Sequence, residues 1–245
     1  GKVHGRTINQ IVANDHYTPS ETVQKVKQLV ENNHVFAIVG SLGTAPGLAT
    51  WNYLNNNGVP QVLLASGDAY WGTCTATGSA FHPQPYCSKP KPWTMGWQPD
   101  YPGEAKLYAK YILKNKPHAK IGVLYQNDAY GTNYLNGLKA GLGSHKNQIV
   151  DAESYNVGDS AQVIGAHVIA LRTHGADTFV IFATPTPTIQ ALGAKTLIGW
   201  SPLTLVNNVS ANRLFILAAA NQASAEVNGI ISSTYTASPT TQANL

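Results

Sequence analysis

Short apolar runs alternate with segments of helical periodicity along nearly the whole chain, starting with a strand predicted at residues 7–13. A helix is predicted at 18–33, where Thr18 and Glu21 have the spacing of a capping box. Such alternation favours an α/β fold, in which helices cover the faces of parallel sheets. The pattern predicts further strands near 35–39, 61–65, 92–98, 120–126, 148–155, 178–183, 203–207 and 229–235, and further helices near 44–56, 103–115, 130–142, 160–174, 186–198 and 210–223.

The composition indicates a compartment and excludes some partners. Charged residues make up only 11% of the 245 positions, and uncharged polar residues replace them, which suits a protein outside the cytoplasm. The net charge of +4 arises without any basic run, so no nucleic-acid partner is expected. The uncharged stretch 35–67 is interrupted by Gly, Pro and Asn, so it does not predict a membrane span.

Two cysteines, Cys74 and Cys87, lie close together in a loop rich in Gly, Pro and Ser. This spacing predicts a disulfide formed in an oxidising compartment. A zinc site that uses both cysteines and His82 is the alternative, although the spacing lacks a Cys-x-x-Cys pair.

A glycine-rich turn, "FAIVGSLGTAPG", follows the strand predicted at 35–39 and precedes a helix. The spacing of Gly40, Gly43 and Gly47 matches neither a dinucleotide-binding motif nor a phosphate-binding loop. Two interpretations remain: a tight turn without ligand, or a turn that binds a small carboxylate through the N–H and hydroxyl of Thr44.

Other predicted strands also end in small or polar residues. The turn after 61–65 offers the carbonyl of Ala65 and the N–H of Gly67, and ligands of open α/β sheets collect at such strand ends. The turn near 126–131 presents Asp128 and Tyr130. The strand ends "FATPTPT" and "LVNNVS" add hydroxyl and amide side chains.

No arrangement of catalytic residues is found. The sequence has no G-x-S-x-G elbow and no H-E-x-x-H motif, and its eight histidines are dispersed. The few acidic residues at strand ends, Asp15, Asp68 and Asp128, are typical turn or cap residues. An enzyme is therefore not expected, and neither a cofactor nor a catalytic metal is predicted.

Four segments carry a family resemblance: "QLVENNHVFAIVGSLGTA", "YLNNNGVPQVLLASG", "WTMGWQPDYPGEAKLYAKYILKNKPHAKIGVLYQNDAYG" and "FATPTPT". Together they resemble the branched-chain amino-acid-binding family of ABC-transporter substrate-binding proteins, which have the type I periplasmic-binding fold. The resemblance extends from about residue 2 to residue 240. It implies two Rossmann-like lobes, lobe one at 1–97 with 236–245 and lobe two at 98–235, that close on a small ligand.

The same resemblance implies a set of ligand contacts. The Thr44 turn and the backbone near Ala65 and Gly67 would bind the carboxylate and ammonium groups, and residues of lobe two would approach from the other side. The implied ligand-binding residues are Thr44, Ala65, Ser66, Gly67, Tyr70, Trp71, Tyr130, Thr184 and Asn208.

Two departures from the family pattern bear on the ligand. Amino-acid-specific members carry an acidic residue in lobe two that pairs with the ligand ammonium, whereas the matching strand end here has Asn207 and Asn208. This leaves room for a ligand with an uncharged amine or for a plain carboxylate such as an aromatic acid. Family members also begin with a further strand and helix and continue beyond the position of Leu245, so we expect the sequence to be part of a longer chain. The alternative is a protein that has lost these parts and, with them, an intact pocket.

The resemblance implies a non-catalytic solute-binding protein of an ABC importer, with a permease in the membrane as partner. The ligand would be an amino acid or a similar small carboxylate. The expected location is the periplasm or the outside of the cell, including attachment by a lipid on a preceding N-terminus. Two alternatives stay open: a sensing or regulatory receptor of the same fold, and a subunit that self-assembles into a filament.

Overall fold

A computed structural model describes the chain over residues 2–71, 91–222 and 225–235. Its backbone divides into two compact units, which we call unit one (Gly1–Gln98) and unit two (Pro99–Leu245). Each unit is built around its own parallel sheet, as the alternation of strands and helices predicts.

Several of the predictions made from the sequence concern residues outside these described ranges. Cys74, His82 and Cys87 lie outside the described residues, so both the disulfide and the zinc alternative stay predictions. The assignment of 236–245 to lobe one stays a prediction for the same reason.

The described residues form nine strands and seven α-helices, most of them where the hydrophobic pattern predicts them. The strands are β1 Lys2–Val3, β2 Arg6–Thr7, β3 Ile38–Val39, β4 Gln61–Leu64, β5 Thr94–Gly96, β6 Ile121–Gln126, β7 Ile149–Tyr155, β8 Thr178–Phe182 and β9 Leu203–Val206. The helices are α1 Pro19–Lys27, α2 Thr44–Asn56, α3 Tyr101–Asn115, α4 Ala129–Leu142, α5 Ala161–Thr173, α6 Pro185–Leu197 and α7 Arg213–Gln222.

The sheet of unit two is parallel throughout, with strand order β7-β6-β8-β9. The sheet is buried on both faces, as the residues of strand β8 show. Val180 and Phe182 pack in a cluster with α3 and α4, whereas Phe179 and Ile181 pack in a cluster with α5, α6 and α7. A parallel sheet needs such cover on both sides, because its strands are apolar on both faces. The carboxyl ends of these four strands meet at one edge, which we call the carboxyl edge of unit two.

The sheet of unit one has the order β3-β4-β5 and is also parallel. Ile38 of β3 packs with Leu54 of α2 in the core on the face that α1 and α2 cover. Val39, Leu63 and Met95, one from each strand, are exposed. Leu63 has a φ of 54°, and it lies at an irregularity in the pairing of β4 with β5. With this left-handed backbone conformation, the Leu63 side chain points outward and the side chain of Leu64 lies in the core.

Two predicted strands are wrong over most of their length. The strand predicted at 7–13 is limited to the two-residue β2, and Ile8 and Val12 are 65% and 83% exposed. The strand predicted at 229–235 contributes a single bridge between Ile231 and Leu205. A β-type sequence forms a strand only where a partner strand and a core face are present, and Ile8 and Val12 have no such face among the described residues.

The capping box predicted for α1 is also wrong. The Thr18 side chain makes no cap bond, and its hydroxyl donates to the carbonyl of His16 at 3.3 Å. Glu21 instead lies 2.8 Å from Nδ1 of His16. Asp15 accepts a 2.7 Å bond from the hydroxyl of Thr22, so an earlier residue of the loop fixes the start of the helix.

Candidate functional site

Two of the predicted turns come together in unit one through Thr44 and Ser66. Thr44 Oγ1 lies 2.7 Å from Ser66 Oγ, and both side chains are fully buried. Thr44 is the first residue of α2, and Gly43 before it has a φ of 98°, which favours glycine. Ser66 Oγ also accepts from the N–H of Asp68 at 3.2 Å. The Thr44–Ser66 bond uses one of two hydroxyl hydrogens, so the other can donate to an oxygen of a ligand.

Ala65 links the two turns through its backbone. Its N–H donates to the carbonyl of Ser41 at 2.7 Å, and its carbonyl accepts from the N–H of Gly43 at 3.0 Å. Gly67 follows two residues later and is buried. A carbonyl oxygen can accept a second hydrogen bond, so the predicted ligand contact of Ala65 is compatible with this linkage and stays a prediction.

Trp71, predicted as a wall of the ligand site, packs in the core of unit one. Its ring meets Trp51 edge to face at a centroid distance of 5.6 Å. A Cβ atom at Gly47 or Gly96 would lie 3.3 Å or 3.1 Å from Trp71, so the close packing depends on both glycines. Tyr70 is half-buried beside Trp51, with ring centroids 5.5 Å apart. The roles of Tyr70 and Trp71 toward a ligand stay predictions.

Tyr17 is a neighbour of the Thr44 turn that the sequence reasoning missed. A Cβ atom at Gly43 would lie 2.3 Å from Cε2 of Tyr17, so the aromatic ring lies directly on this glycine. His16 and Tyr17 both have left-handed φ values, 49° and 56°. Asp15 stabilises this backbone by accepting from the N–H of Tyr17 at 3.0 Å. The Asn-Asp pair at 14–15 signals a turn in the sequence, but it does not reveal where the ring packs.

Thr184, predicted as a ligand residue, lies at the carboxyl edge of unit two in a polar group. Its N–H donates to the hydroxyl of Tyr155 at 3.1 Å. The Tyr155 hydroxyl in turn donates to Oε1 of Gln126 at 3.0 Å. Nε2 of Gln126 donates to Asp128 at 2.7 Å, and Asp128 caps α4 by accepting from the N–H of Gly131 at 3.2 Å. These bonds fix the polar ends of β6, β7 and β8 relative to one another.

Tyr130 and Asn207 form a second polar group at the same edge. Asn207 Nδ2 donates to the hydroxyl of Tyr130, and both side chains are buried. The Asn207 backbone is satisfied, because its N–H donates to Ile181 at 3.1 Å and its carbonyl accepts from Ser210 at 3.1 Å. Asn207 Oδ1, however, is buried without a hydrogen-bond partner among the described residues. The side-chain oxygens of Gln61, Gln148 and Gln190 are also buried without a partner among the described residues. Of these four acceptors, Asn207 Oδ1 is the one at the carboxyl edge of unit two, so it marks a place where a ligand could supply the missing donor.

Glu104 is the second residue that the sequence reasoning missed. It lies in the first turn of α3 and is 4% exposed. Its carboxylate accepts from the backbone N–H of Asn208 at 2.7 Å and also from Asn208 Nδ2. Two donors of Asn208 are thus directed at Glu104, and the ligand contact predicted for Asn208 stays a prediction. An acidic residue in a first helical turn is a common feature, so the sequence gives no sign of a partner 104 positions away.

The charge of Glu104 also acts on two tyrosines. Burial, together with the nearby Glu104 carboxylate, raises the pKa of Tyr108 far above its usual value. The same two causes raise the pKa of Tyr134, whose side chain is fully buried. Both phenols therefore stay protonated at neutral pH and can donate to the carboxylate.

The described residues contain neither a metal site nor a membrane span. No group of three or more His, Cys, Asp or Glu side chains there has a geometry that could bind a metal ion. Within the same ranges, no helix is both long and apolar enough to cross a membrane.

A family model described as periplasmic binding protein matches residues 1–245, the whole chain. The chain belongs to the periplasmic binding protein family. This result confirms the resemblance recognised in the four sequence segments and the predicted α/β class. The family is one of extracytoplasmic proteins that bind small solutes.

Solved structures of periplasmic binding proteins share the fold. A substrate-binding periplasmic protein from Ralstonia solanacearum has a TM-score of 0.75 and 22% identity, over 91% of this chain and 58% of its own. A possible leucine/isoleucine/valine-binding protein from Rhodopirellula baltica has a TM-score of 0.72 and 18% identity, over 94% and 58%. A branched-chain amino acid ABC transporter protein from Thermus thermophilus with bound valine has a TM-score of 0.73 and 16% identity, over 92% of this chain and 53% of its own.

The chain thus spans little more than half the length of these solved relatives. A search against curated proteins finds no similar sequence. Identities of 16–22% establish a common fold, and the ligand has to be inferred from the residues of this chain.

Proposed function

We propose that the protein is a solute-binding protein of an ABC importer and that it binds an amino acid or a similar small carboxylate outside the cytoplasm. The observation that carries this proposal is the buried Oδ1 of Asn207 at the carboxyl edge of unit two, which has no hydrogen-bond partner in the described part of the chain. Ligands of open α/β sheets bind at this edge, and a ligand N–H or O–H supplies the donor that the atom lacks.

The Thr44–Ser66 pair of unit one supports the other half of the proposal. It retains one hydroxyl hydrogen, and it lies at the N-terminus of α2, where the helix dipole favours a negative group. A carboxylate matches both properties. A carboxylate on the solute would therefore satisfy the Thr44–Ser66 pair of unit one, and a hydrogen-bond donor would satisfy Asn207 of unit two.

The donor on the solute need not be an ammonium group. Asn207 contributes a neutral amide oxygen, whereas a buried ammonium group requires a negative partner to offset its desolvation. The Glu104 carboxylate already accepts from five donor groups of the protein. These observations favour an uncharged N–H donor on the solute.

Thermal unfolding of the protein with four small compounds tests the proposal. 4-Aminobenzoate carries a carboxylate and an uncharged amine, and L-valine carries a carboxylate and an ammonium. Benzoate has only the carboxylate, and L-valinamide has an ammonium and an amide but no carboxylate. A compound at 100 times its Kd adds about 2.7 kcal/mol of stability, or roughly 5–10 °C in Tm. We expect 4-aminobenzoate, which has a carboxylate and an uncharged N–H donor, to raise Tm more than L-valine, benzoate or L-valinamide. An unchanged Tm with all four would contradict the proposal.

A pair of variants separates the Thr44 turn from the rest of helix α2. Thr44→Val removes the hydroxyl at nearly constant volume and should weaken binding by about 1–3 kcal/mol. Thr50→Val is the matched control, because Thr50 is equally buried in α2 and its hydroxyl bonds only to carbonyls of its own helix. Equal affinities of the two variants would mean that the Thr44 turn has no ligand contact.

A further inference from the structure

Glu104 joins five donor groups from separate parts of unit two. Oε1 accepts from the hydroxyl of Tyr108 at 2.5 Å and from the hydroxyl of Ser233 at 2.9 Å. Oε2 accepts from the hydroxyl of Tyr134 at 2.6 Å. The N–H and the side-chain amide of Asn208 complete the set. Helices α3 and α4, the turn after β9 and the segment after α7 therefore meet at one carboxylate.

This carboxylate has no capacity left for a ligand. An ionised carboxylate offers about four acceptor positions, and five donor groups already point at Glu104. The ion pairs of the described residues do not include Glu104, so neutral donors alone compensate its charge. Its contribution must therefore come from the groups that it holds in place.

The group that Glu104 holds most firmly is the turn Asn208–Ser210, a 3₁₀ turn that begins two residues after β9 ends. Two of the five bonds go to Asn208, one from its backbone and one from its side chain. Hydrogen bonds to an ionised group are roughly twice as strong as neutral ones. Asn207, the residue between β9 and this turn, is thereby fixed with its side chain against Tyr130 and with Oδ1 unpaired.

We propose that Glu104 is a positioning residue of the solute site: it binds Asn208 and so presents the amide oxygen of Asn207 to the solute. This inference rests on the proposed function for the identity of the ligand. From the sequence, Asn208 is expected to contact the ligand. In this inference Asn207 accepts from the solute, and Asn208 is bound by Glu104. The ligand class at this edge is therefore a group with an N–H or O–H donor.

Hydrogen exchange of the Asn208 amide, followed by NMR, tests the positioning role without any ligand. Glu104→Gln keeps the length of the side chain and removes its charge, and we expect exchange at Asn208 to become about tenfold faster or more. The amides of the central strand β6 should keep their rates. A merely structural role would speed exchange throughout unit two, and an unchanged rate at Asn208 would overturn the inference.

Two control variants separate the anchor from general loss of hydrogen bonds. Ser233→Ala removes one donor to the same carboxylate without touching the turn, so Asn208 should exchange as in the wild type. Glu31→Gln removes another glutamate that accepts from a tyrosine hydroxyl, 2.8 Å from Tyr53 in unit one, and should leave unit two unaffected. If Glu104→Gln does not fold, Asn208→Ala removes only the side-chain donor and should also speed exchange of the residue 208 amide.

A second experiment measures by calorimetry how tightly the wild type and two variants bind 4-aminobenzoate. Glu104→Gln and Asn207→Leu should each weaken binding about tenfold or more. Wild-type affinity in Glu104→Gln, together with faster exchange at Asn208, would refute the role in ligand presentation. If the wild-type protein binds none of the four compounds, the proposed function fails, and the exchange experiment still decides whether Glu104 fixes the turn.

Discussion

Replacement of Gly137 by alanine should destabilise unit two, because this glycine lets helix α4 approach helix α3. A Cβ atom at Gly137 would lie 2.5 Å from Cα and 2.7 Å from the carbonyl oxygen of Pro102, both backbone atoms at the start of α3. Carbon atoms in contact are normally about 3.5–4.0 Å apart, so the helices would have to separate by roughly 1 Å. The Glu104–Tyr134 hydrogen bond, which joins the same two helices, would lengthen with them.

The magnitude follows from two opposing effects. Overpacking of a close contact costs about 1–3 kcal/mol, whereas replacement of glycine by alanine within a helix gains up to about 1 kcal/mol. The strained hydrogen bond adds to the cost, so we expect a net loss of about 1–2 kcal/mol. Gly165 in α5 is a matched control, since a Cβ atom there would meet only Ala194, at 3.9 Å. Gly165→Ala should therefore stabilise the same unit by about 0.5–1 kcal/mol.

Scanning calorimetry of both variants provides the assay. A change of 1 kcal/mol corresponds to roughly 2–4 °C in a domain of this size, so Gly137→Ala should melt about 2–8 °C below the wild type. Gly165→Ala should melt about 1–4 °C above it. The reasoning would be refuted if Gly137→Ala were at least as stable as the wild type, or if both variants were destabilised equally.

Three other predictions concern stability. The raised pKa values of Tyr108 and Tyr134 keep both phenols neutral in the folded protein at a pH where the unfolded phenols ionise. The free energy of unfolding should therefore fall as pH rises above about 10, by up to about 1.4 kcal/mol per pH unit for each tyrosine. Constant urea midpoints up to pH 11 would contradict this. Leu63→Gly should leave stability unchanged or raise it by about 1 kcal/mol, since it relieves a left-handed leucine that is half exposed; a clear loss in a urea melt would show that the side chain packs. Trp71→Ala should cost about 3–5 kcal/mol by the same assay, and a small effect would mean that its ring is not part of the core.

Most of the fold could be predicted because periodicity and burial agree over many of the elements. The helix predicted at 44–56 is observed as Thr44–Asn56, and the apolar run 178–183 contains the fully buried β8. The strand predicted at 7–13 failed because a β-type sequence does not reveal whether a partner strand and a core face exist.

The candidate site was predictable only in part. Strand ends and glycine spacing pointed to Thr44, which indeed meets Ser66 in unit one. Glu104 could not be found in this way, because its contacts reach Asn208 and Ser233, 104 and 129 positions away. The sequence also does not show which of the adjacent amides of Asn207 and Asn208 a buried carboxylate binds, so the contact between Asn208 and Glu104 could not be predicted.

Calorimetric titration of 4-aminobenzoate into the wild type, Thr44→Val and Asn207→Leu tests the central claim most directly. The account predicts binding to the wild type and a loss of affinity of about tenfold or more in each variant, because each lacks one of the groups proposed to bind the solute. Wild-type affinity in both variants would contradict the claim that the Thr44 hydroxyl and the Asn207 amide oxygen recognise the solute.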